Sequence, residues 1–354
     1  MNILNKKISN LVENYSYSLK KQQKQNFMLS YFKVLNKYHS KNCVQYKLLT
    51  KKIPSLNSLS LENFPMLPVR IFKDFKLKSH KSKIVKILKS SGTSGKQSNI
   101  FLDKDNAKNQ SLTLKRLFED NFGKNRFPML IIESRPARKD FYSASYAAIL
   151  GFSIFGRNHT YALNDNGSIN YNAINNFLKK NLNEKKFIFG FTSKIYETLI
   201  KKLEITKLKY KFKNSFILHG GGWKKLENLN ISNQNFKKLI KKKFNILDIR
   251  NYYGLVEQTG SIFFECGENN HFHCSNYSEI FIRNKNLEIN NEGLQGIVQL
   301  LSVLPTSYPG HNILTEDVGV ILGEDDCSCG KKGKYFQILG RVKSAELRGC
   351  SDAI

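Results

Sequence analysis

The strongest constraint on this chain is the alternation of short apolar runs with amphipathic segments between residues 127 and 254. "FPMLIIES" (127–134) reads as a buried strand and "YSASYAAILGF" (142–152) as a helix of small residues. "KFIFGF" (186–191) is a strand, and "TSKIYETLIKKLE" (192–204) is a helix that Thr192 or Ser193 can cap. "NSFILHGGGW" (214–223) is a strand ending in glycines, "SNQNFKKLIKKKF" (232–244) a helix, and "ILDIRNYYG" (246–254) a strand and turn. Such alternation predicts a largely parallel α/β sheet, and ligands of such sheets sit beyond the carboxyl ends of the strands. The glycine turns at 92–95, 220–222 and 254 all follow expected strands and are candidates to line one crevice.

The flanks differ. Residues 1–52 carry apolar residues at three- and four-residue spacing and read as helical, whereas 53–83, with Pro54, Pro65 and Pro68, reads as irregular. "KIVKILKS" alternates like a half-buried strand and leads into "KSSGTSGKQS" (89–98). From about residue 262 the runs shorten to "SEIFIRN", "GIVQLLSV", "VGVIL" and "YFQILGR". The expected organisation is a helical region (1–83), an α/β nucleotide-binding core (84–261) and a smaller β-rich subdomain with a short tail (262–354).

Charge narrows the function only slightly. The formal net charge is +29 over 354 residues, but Lys is spread along the whole chain with no dense block or recognised nucleic-acid module. Specific nucleic-acid binding is therefore the weakest reading, while an anionic substrate or acidic partner would benefit from the field. No apolar run reaches the roughly 18 residues of a membrane span, and the polar N-terminus lacks a signal-peptide core, so a cytoplasmic protein is expected. In that compartment the six cysteines favour metal binding or a reactive thiol over disulfides.

Several motifs carry chemistry. In "SSGTSGKQS", Ser91, Gly92, Thr93, Ser94 and Gly95 can turn backbone N–H groups toward an anion, and Lys96 adds a positive charge. This is not a Walker loop: Ser90 stands where the first glycine would be, and Gln97 follows Lys96. "NYYGLVEQTGSI" (251–262) brings two tyrosines, Gly254 and an acid into one strand-to-loop step, where an aromatic can stack on a base and a carboxylate such as Glu257 can hold Mg²⁺ between phosphate oxygens. Gly221 in "LHGGGW" lets backbone approach a flat ring; His219 before it either lines a carboxylate pocket or packs at the strand end. Asp317 in "ILTEDVGVI" can accept from ribose hydroxyls, and Arg341 follows a strand in "ILGRVKSAELRG". "ECGENNHFHC" (265–274) and "DDCSCGKKG" (325–333) offer Cys266, His273, Cys327 and Cys329 as tetrahedral ligands of a structural Zn²⁺, with Cys274 an alternative to His273.

This ordered set resembles the adenylate-forming superfamily, and more closely its acyl-protein synthetase (LuxE) family, through "LLSVLPTSYPGHNILTEDVGVI", "GEDDCSCGKKGKYFQILGR" and "AELRGCSD". The resemblance is dense over about 84–354. It implies an α/β fold with a smaller β-rich subdomain, and an ATP- and Mg²⁺-dependent ligase that converts a fatty acid to an acyl-adenylate. It also implies transfer of the acyl group to Cys350 as a thioester, for delivery to an acyl-CoA reductase-like or acyltransferase partner. On this resemblance Ser91 to Lys96 hold the β- and γ-phosphates, Tyr253 and Gly221 flank adenine, Glu257 holds Mg²⁺, Asp317 binds ribose, and Arg341 contacts ribose or phosphate. Larger superfamily members add a lid domain with a catalytic lysine; ending at Ile354, this chain is expected to lack it, leaving Lys96 or the partner to substitute. The alternative acceptor is coenzyme A or a carrier protein, as in phenylacetate-CoA ligases.

Overall fold

The structure, a computed structural model, describes residues 8–51, 60–79, 83–90, 96–136, 144–222, 229 and 231–342. Ser91–Gly95 and Cys350 lie outside the described residues. In chain order the helices are α1 (Lys21–Asn42), α2 (Val44–Leu49), α3 (Lys104–Phe122), α4 (Ala144–Ser153), α5 (Tyr171–Lys180), α6 (Thr192–Ile195) and α7 (Asn233–Phe244). The strands are β1 (Leu67–Pro68), β2 (Ile84–Lys89), β3 (Asn99–Asp103), β4 (Phe127–Ile131), β5 (Gly156–Tyr161), β6 (Lys186–Phe191), β7 (Ser215–Gly220) and β8 (Asp248–Gly254). They continue as β9 (Ile262–Phe264), β10 (Phe272–His273), β11 (Ser278–Arg283), β12 (Gly296–Ser302), β13 (Asn312–Glu324) and β14 (Lys334–Arg341). Two compact units result: among described residues, one gathers 8–90, 96–123 and 254–342, the other 124–253.

In the second unit β5, β4, β6, β7 and β8 pair in that order, all parallel. Strand alternation gives the sheet two chemically different faces. Ile188, Ile217 and Ile249 join Leu178, Phe236 and Ile240 in a largely aliphatic core with the helices. On the other face Phe187 stacks on Phe216 (5.0 Å), and Phe152 sits 4.9 Å from Phe189 and 4.8 Å from Tyr252. Each fully buried side chain of this size contributes about 1.5–3 kcal/mol. Helices start where a side chain satisfies an open N–H: Asn170 accepts from Ala173 N (2.9 Å) and Ser232 from Asn235 N (3.2 Å). Asn245 ends α7 in the left-handed conformation, φ 57°.

One expected cap is absent. α6 begins at Thr192 with Phe191 as an uncapped N-cap, because the Thr192 hydroxyl is engaged elsewhere, 3.1 Å from Gly220 O and 2.9 Å from His219 Nδ1. The helix then widens to a π-helix over Tyr196–Lys202.

The first unit is built on antiparallel β11, β12, β13 and β14 in that order, with β10 on the β14 edge and β1 parallel to β13. β13 runs thirteen residues, and Asp317 lies within it. β2 and β3 form a separate hairpin over a core that includes Leu67, Phe72, Ile100, Leu102 and Tyr308. α3 follows directly, capped by Asp103, which accepts from Asn106 N at 2.8 Å.

Candidate active site

In the first unit, the β2–β3 hairpin aligns Lys89 with Asn99, and Ser90 and Ser98 close it one step further. Ser90 N donates to Ser98 O (3.1 Å) and Ser98 N donates to Ser90 Oγ (2.9 Å). Residues 91–97 thus connect two clasped stems. Lys96 is exposed, with Nζ 3.5 Å from Asp74 Oδ1, a solvated pair worth little.

Glu257 sits in a 3-10 turn, Val256–Gln258, and is 2% exposed. Its neighbours hold that turn: Gln258 Nε2 donates to Leu300 O (3.0 Å) and Gly310 O (3.1 Å), and Thr259 N donates to Tyr308 Oη (2.9 Å). Its carboxylate accepts from Ser98 Oγ at 2.6 Å. Ser98 was not singled out from the sequence, since one serine in a Ser-rich loop carries no distinguishing mark; only its fold partner does.

Asp317 and Arg341 are directly paired across β13 and β14, with Nε 3.5 Å from Oδ1. Arg341 also pairs with Glu316, which in turn holds Arg70. The two sequence-predicted residues therefore meet in one partly buried charge network.

In the second unit β7 ends in the glycine turn. A Cβ on Gly220 would lie 2.6 Å from Tyr252 Cζ, so that ring occupies the missing side chain's place. Gly221 has φ +74°, in the region that disfavours other residues. His219 is buried and packs on Phe236 at 4.8 Å; burial, reinforced by the Lys237 charge, lowers its pKa well below the ordinary value. Tyr253, at the end of β8, is half-buried.

The cysteine cluster belongs to the first unit. The ligand atoms of Cys266, His273, Cys327 and Cys329 all lie within 4.8 Å of one another, three of the residues buried. His273 Nε2 is 3.4 Å from Cys329 Sγ, and Asn269 Nδ2 is 3.6 Å from Cys327 Sγ. Burial opposes a Cys266 thiolate, but backbone N–H groups of His271 and Asn269 and the Lys331 charge outweigh it and lower the thiol. Burial pushes Cys329 up to about 12, and burial with the Lys331 charge takes His273 down to about 3. Cys274 lies outside this group; it is fully buried and its thiol is raised by burial.

The fold is shared with solved ligases: 2-hydroxyisobutyryl-CoA ligase in complex with 2-HIB-AMP and CoA superposes over 93% of this chain and 70% of that one, with TM-score 0.69 and 12% identity. An ATP-bound RpMatB-BxBclM chimera covers 74% of this chain and 49% of its own, with TM-score 0.50 and 14% identity. The family comes from the sequence: the acyl-protein synthetase (LuxE) family model matches residues 5–354, and the chain belongs to that family. A long-chain-fatty-acid–luciferin-component ligase of Vibrio harveyi is 25% identical over 139 residues, which span 38% of this chain and 35% of that protein.

Proposed function

We propose that this protein activates a fatty acid as its acyl-adenylate and then carries the acyl group as a thioester on Cys350. The observation that carries the proposal is membership of the acyl-protein synthetase family across residues 5–354. The substrate carboxylate would attack the α-phosphorus of ATP, and the bond to the bridging oxygen would break to release pyrophosphate. The Cys350 thiolate would then attack the acyl carbonyl and expel AMP. An acyl-CoA reductase-like or acyltransferase protein would take the acyl group next.

Each residue has a part in this reading. Ser91–Gly95 and Lys96 would hold the β- and γ-phosphates, Tyr253 and Gly221 would flank adenine, and Asp317 would accept from the ribose hydroxyls. Arg341, already spanning Glu316 and Asp317, would contact ribose or phosphate and orient the Asp317 carboxylate. The residues fit Mg²⁺: Glu257 is a hard carboxylate in a braced turn, hydrogen-bonded by a neutral hydroxyl. Bound there, Mg²⁺ would neutralise charge on the phosphate oxygens. Zn²⁺ fits the second cluster, because three thiols and an imidazole within 4.8 Å are a soft tetrahedral donor set. There it would tie the turn at 327–329 to β10 and take no part in the reaction.

The direct test is ATP–pyrophosphate exchange across a panel of carboxylic acids. Exchange that depends on long straight-chain acids and Mg²⁺ supports the proposal, and no exchange with any acid contradicts it. A second reading, with coenzyme A as acceptor, draws on the likeness in fold to 2-hydroxyisobutyryl-CoA ligase; CoA-dependent release of acyl-CoA by the Cys350→Ala protein would favour it.

A further inference from the structure

We propose that Ser98 is a positioning residue for the divalent cation: its hydroxyl sets the orientation of the Glu257 carboxylate. The proposal rests on the reading of Glu257 as the cation's ligand.

The geometry separates this role from simple packing. A carboxylate that is 2% exposed needs hydrogen-bond donors in place of the water it has lost. An ionised carboxylate can only accept, so at 2.6 Å Ser98 Oγ is the donor. That donor cannot swing away freely. Ser98 is fully buried, and both its backbone groups are tied to Ser90, at 2.9 and 3.1 Å. The backbone of the Glu257 turn is held by other residues altogether, through Gln258 on Leu300 and Gly310 and through Thr259 on Tyr308. Loss of the Ser98 hydroxyl would therefore leave the turn in place and remove a contact that orients the carboxylate. A cation with strict octahedral demands is sensitive to that rotation. Groups that orient a metal's direct ligand typically account for about 10–100-fold in metal affinity.

The test uses the full chain, ATP without acid substrate, and Mn²⁺ as probe, with free Mn²⁺ read by electron paramagnetic resonance. Ser98→Ala should weaken Mn²⁺ binding in the presence of ATP by about 10–100-fold. Its affinity for ATP without metal should stay within about twofold, and Ser98→Thr, which keeps the hydroxyl, should recover most of the loss. In a Glu257→Gln background Ser98→Ala should cost nothing further. Ser98→Cys, a weak donor of similar size, should lose at least about threefold and decides the matter should the alanine protein not fold. The proposal is overturned if Ser98→Ala or Ser98→Cys binds Mn²⁺ as tightly as wild type while Glu257→Gln does not. It is equally overturned if the loss persists in the Glu257→Gln background. If Glu257→Gln itself binds Mn²⁺ like wild type, the assignment of Glu257 fails, and the role of Ser98 with it.

Discussion

Replacing Lys24 in α1 should loosen the strands beside the cysteine cluster. Lys24 Nζ lies 3.4 Å from Glu279 Oε2, with the two side chains 1% and 3% exposed, and Lys334 Nζ lies 3.7 Å from the other oxygen. At an effective dielectric constant of about 20, 332/(εr) gives about 5 kcal/mol of attraction for the first pair and about 4.5 for the second. Desolvation offsets much of this, yet the Lys24 and Lys334 charges and the Ile280 N–H still hold the Glu279 carboxyl below its ordinary value against the burial that raises it. Breaking a buried pair outright costs about 3–5 kcal/mol. Lys24→Met leaves Glu279 with Lys334, so a loss of about 2–3 kcal/mol is expected. In Lys24→Met/Glu279→Gln only Lys334 of the three keeps its charge, and at 12% exposed it can regain water and still has Glu324 nearby. The double variant should therefore lose less than the sum of the singles, by about 1.5 kcal/mol or more. Urea titration at pH 7 followed by far-UV circular dichroism gives all four free energies. Strict additivity would refute the claim that the two charges sustain each other.

Further outcomes follow from the same chemistry. His39 and His311 stack at 4.9 Å in the interior, burial taking His39 to about 3 and His311 well below its ordinary value. Both folded values lie below the unfolded ~6.5, so their contribution is intact above that pH and is lost as pH falls through the window from about 6.5 toward 3. Each should subtract about 1.4 kcal/mol per pH unit there, and His311→Gln should lower the slope of urea stability against pH by about that one increment. The purified protein should carry about one zinc per chain by elemental mass spectrometry, with Cys327→Ser losing it and melting at a lower temperature.

How much was legible in the sequence depended on whether an element's buried face is apolar. β6 stands where "KFIFGF" predicts it, since all six residues are buried and none breaks the run. α3 left no comparable trace, because its buried face includes Asn106, Asn109 and Thr113; Asn106 there accepts from Ser307 and donates to Leu304 O. α5 did carry a signal, with Ile174, Phe177 and Leu178 spaced for one helical face. β5 is an edge strand of polar residues, and the first half of β13 is interrupted by Glu316 and Asp317, whose charges are met by Arg70 and Arg341. For the candidate site, the two Cys/His clusters offered Cys266, Cys327, Cys329 and either His273 or Cys274, and the fold brings His273 into the group. The Ser98–Glu257 bond joins residues 159 apart, and no local pattern announces such a pair.

The most direct test of the central claim is intact-protein mass spectrometry after incubation with ATP, Mg²⁺ and a long straight-chain fatty acid. The account predicts one added acyl mass, removed by neutral hydroxylamine as a thioester must be, mapped to the peptide containing Cys350 and absent from Cys350→Ala. An acyl adduct that persists in Cys350→Ala, or acyl-adenylate formation with no adduct at all, would contradict it.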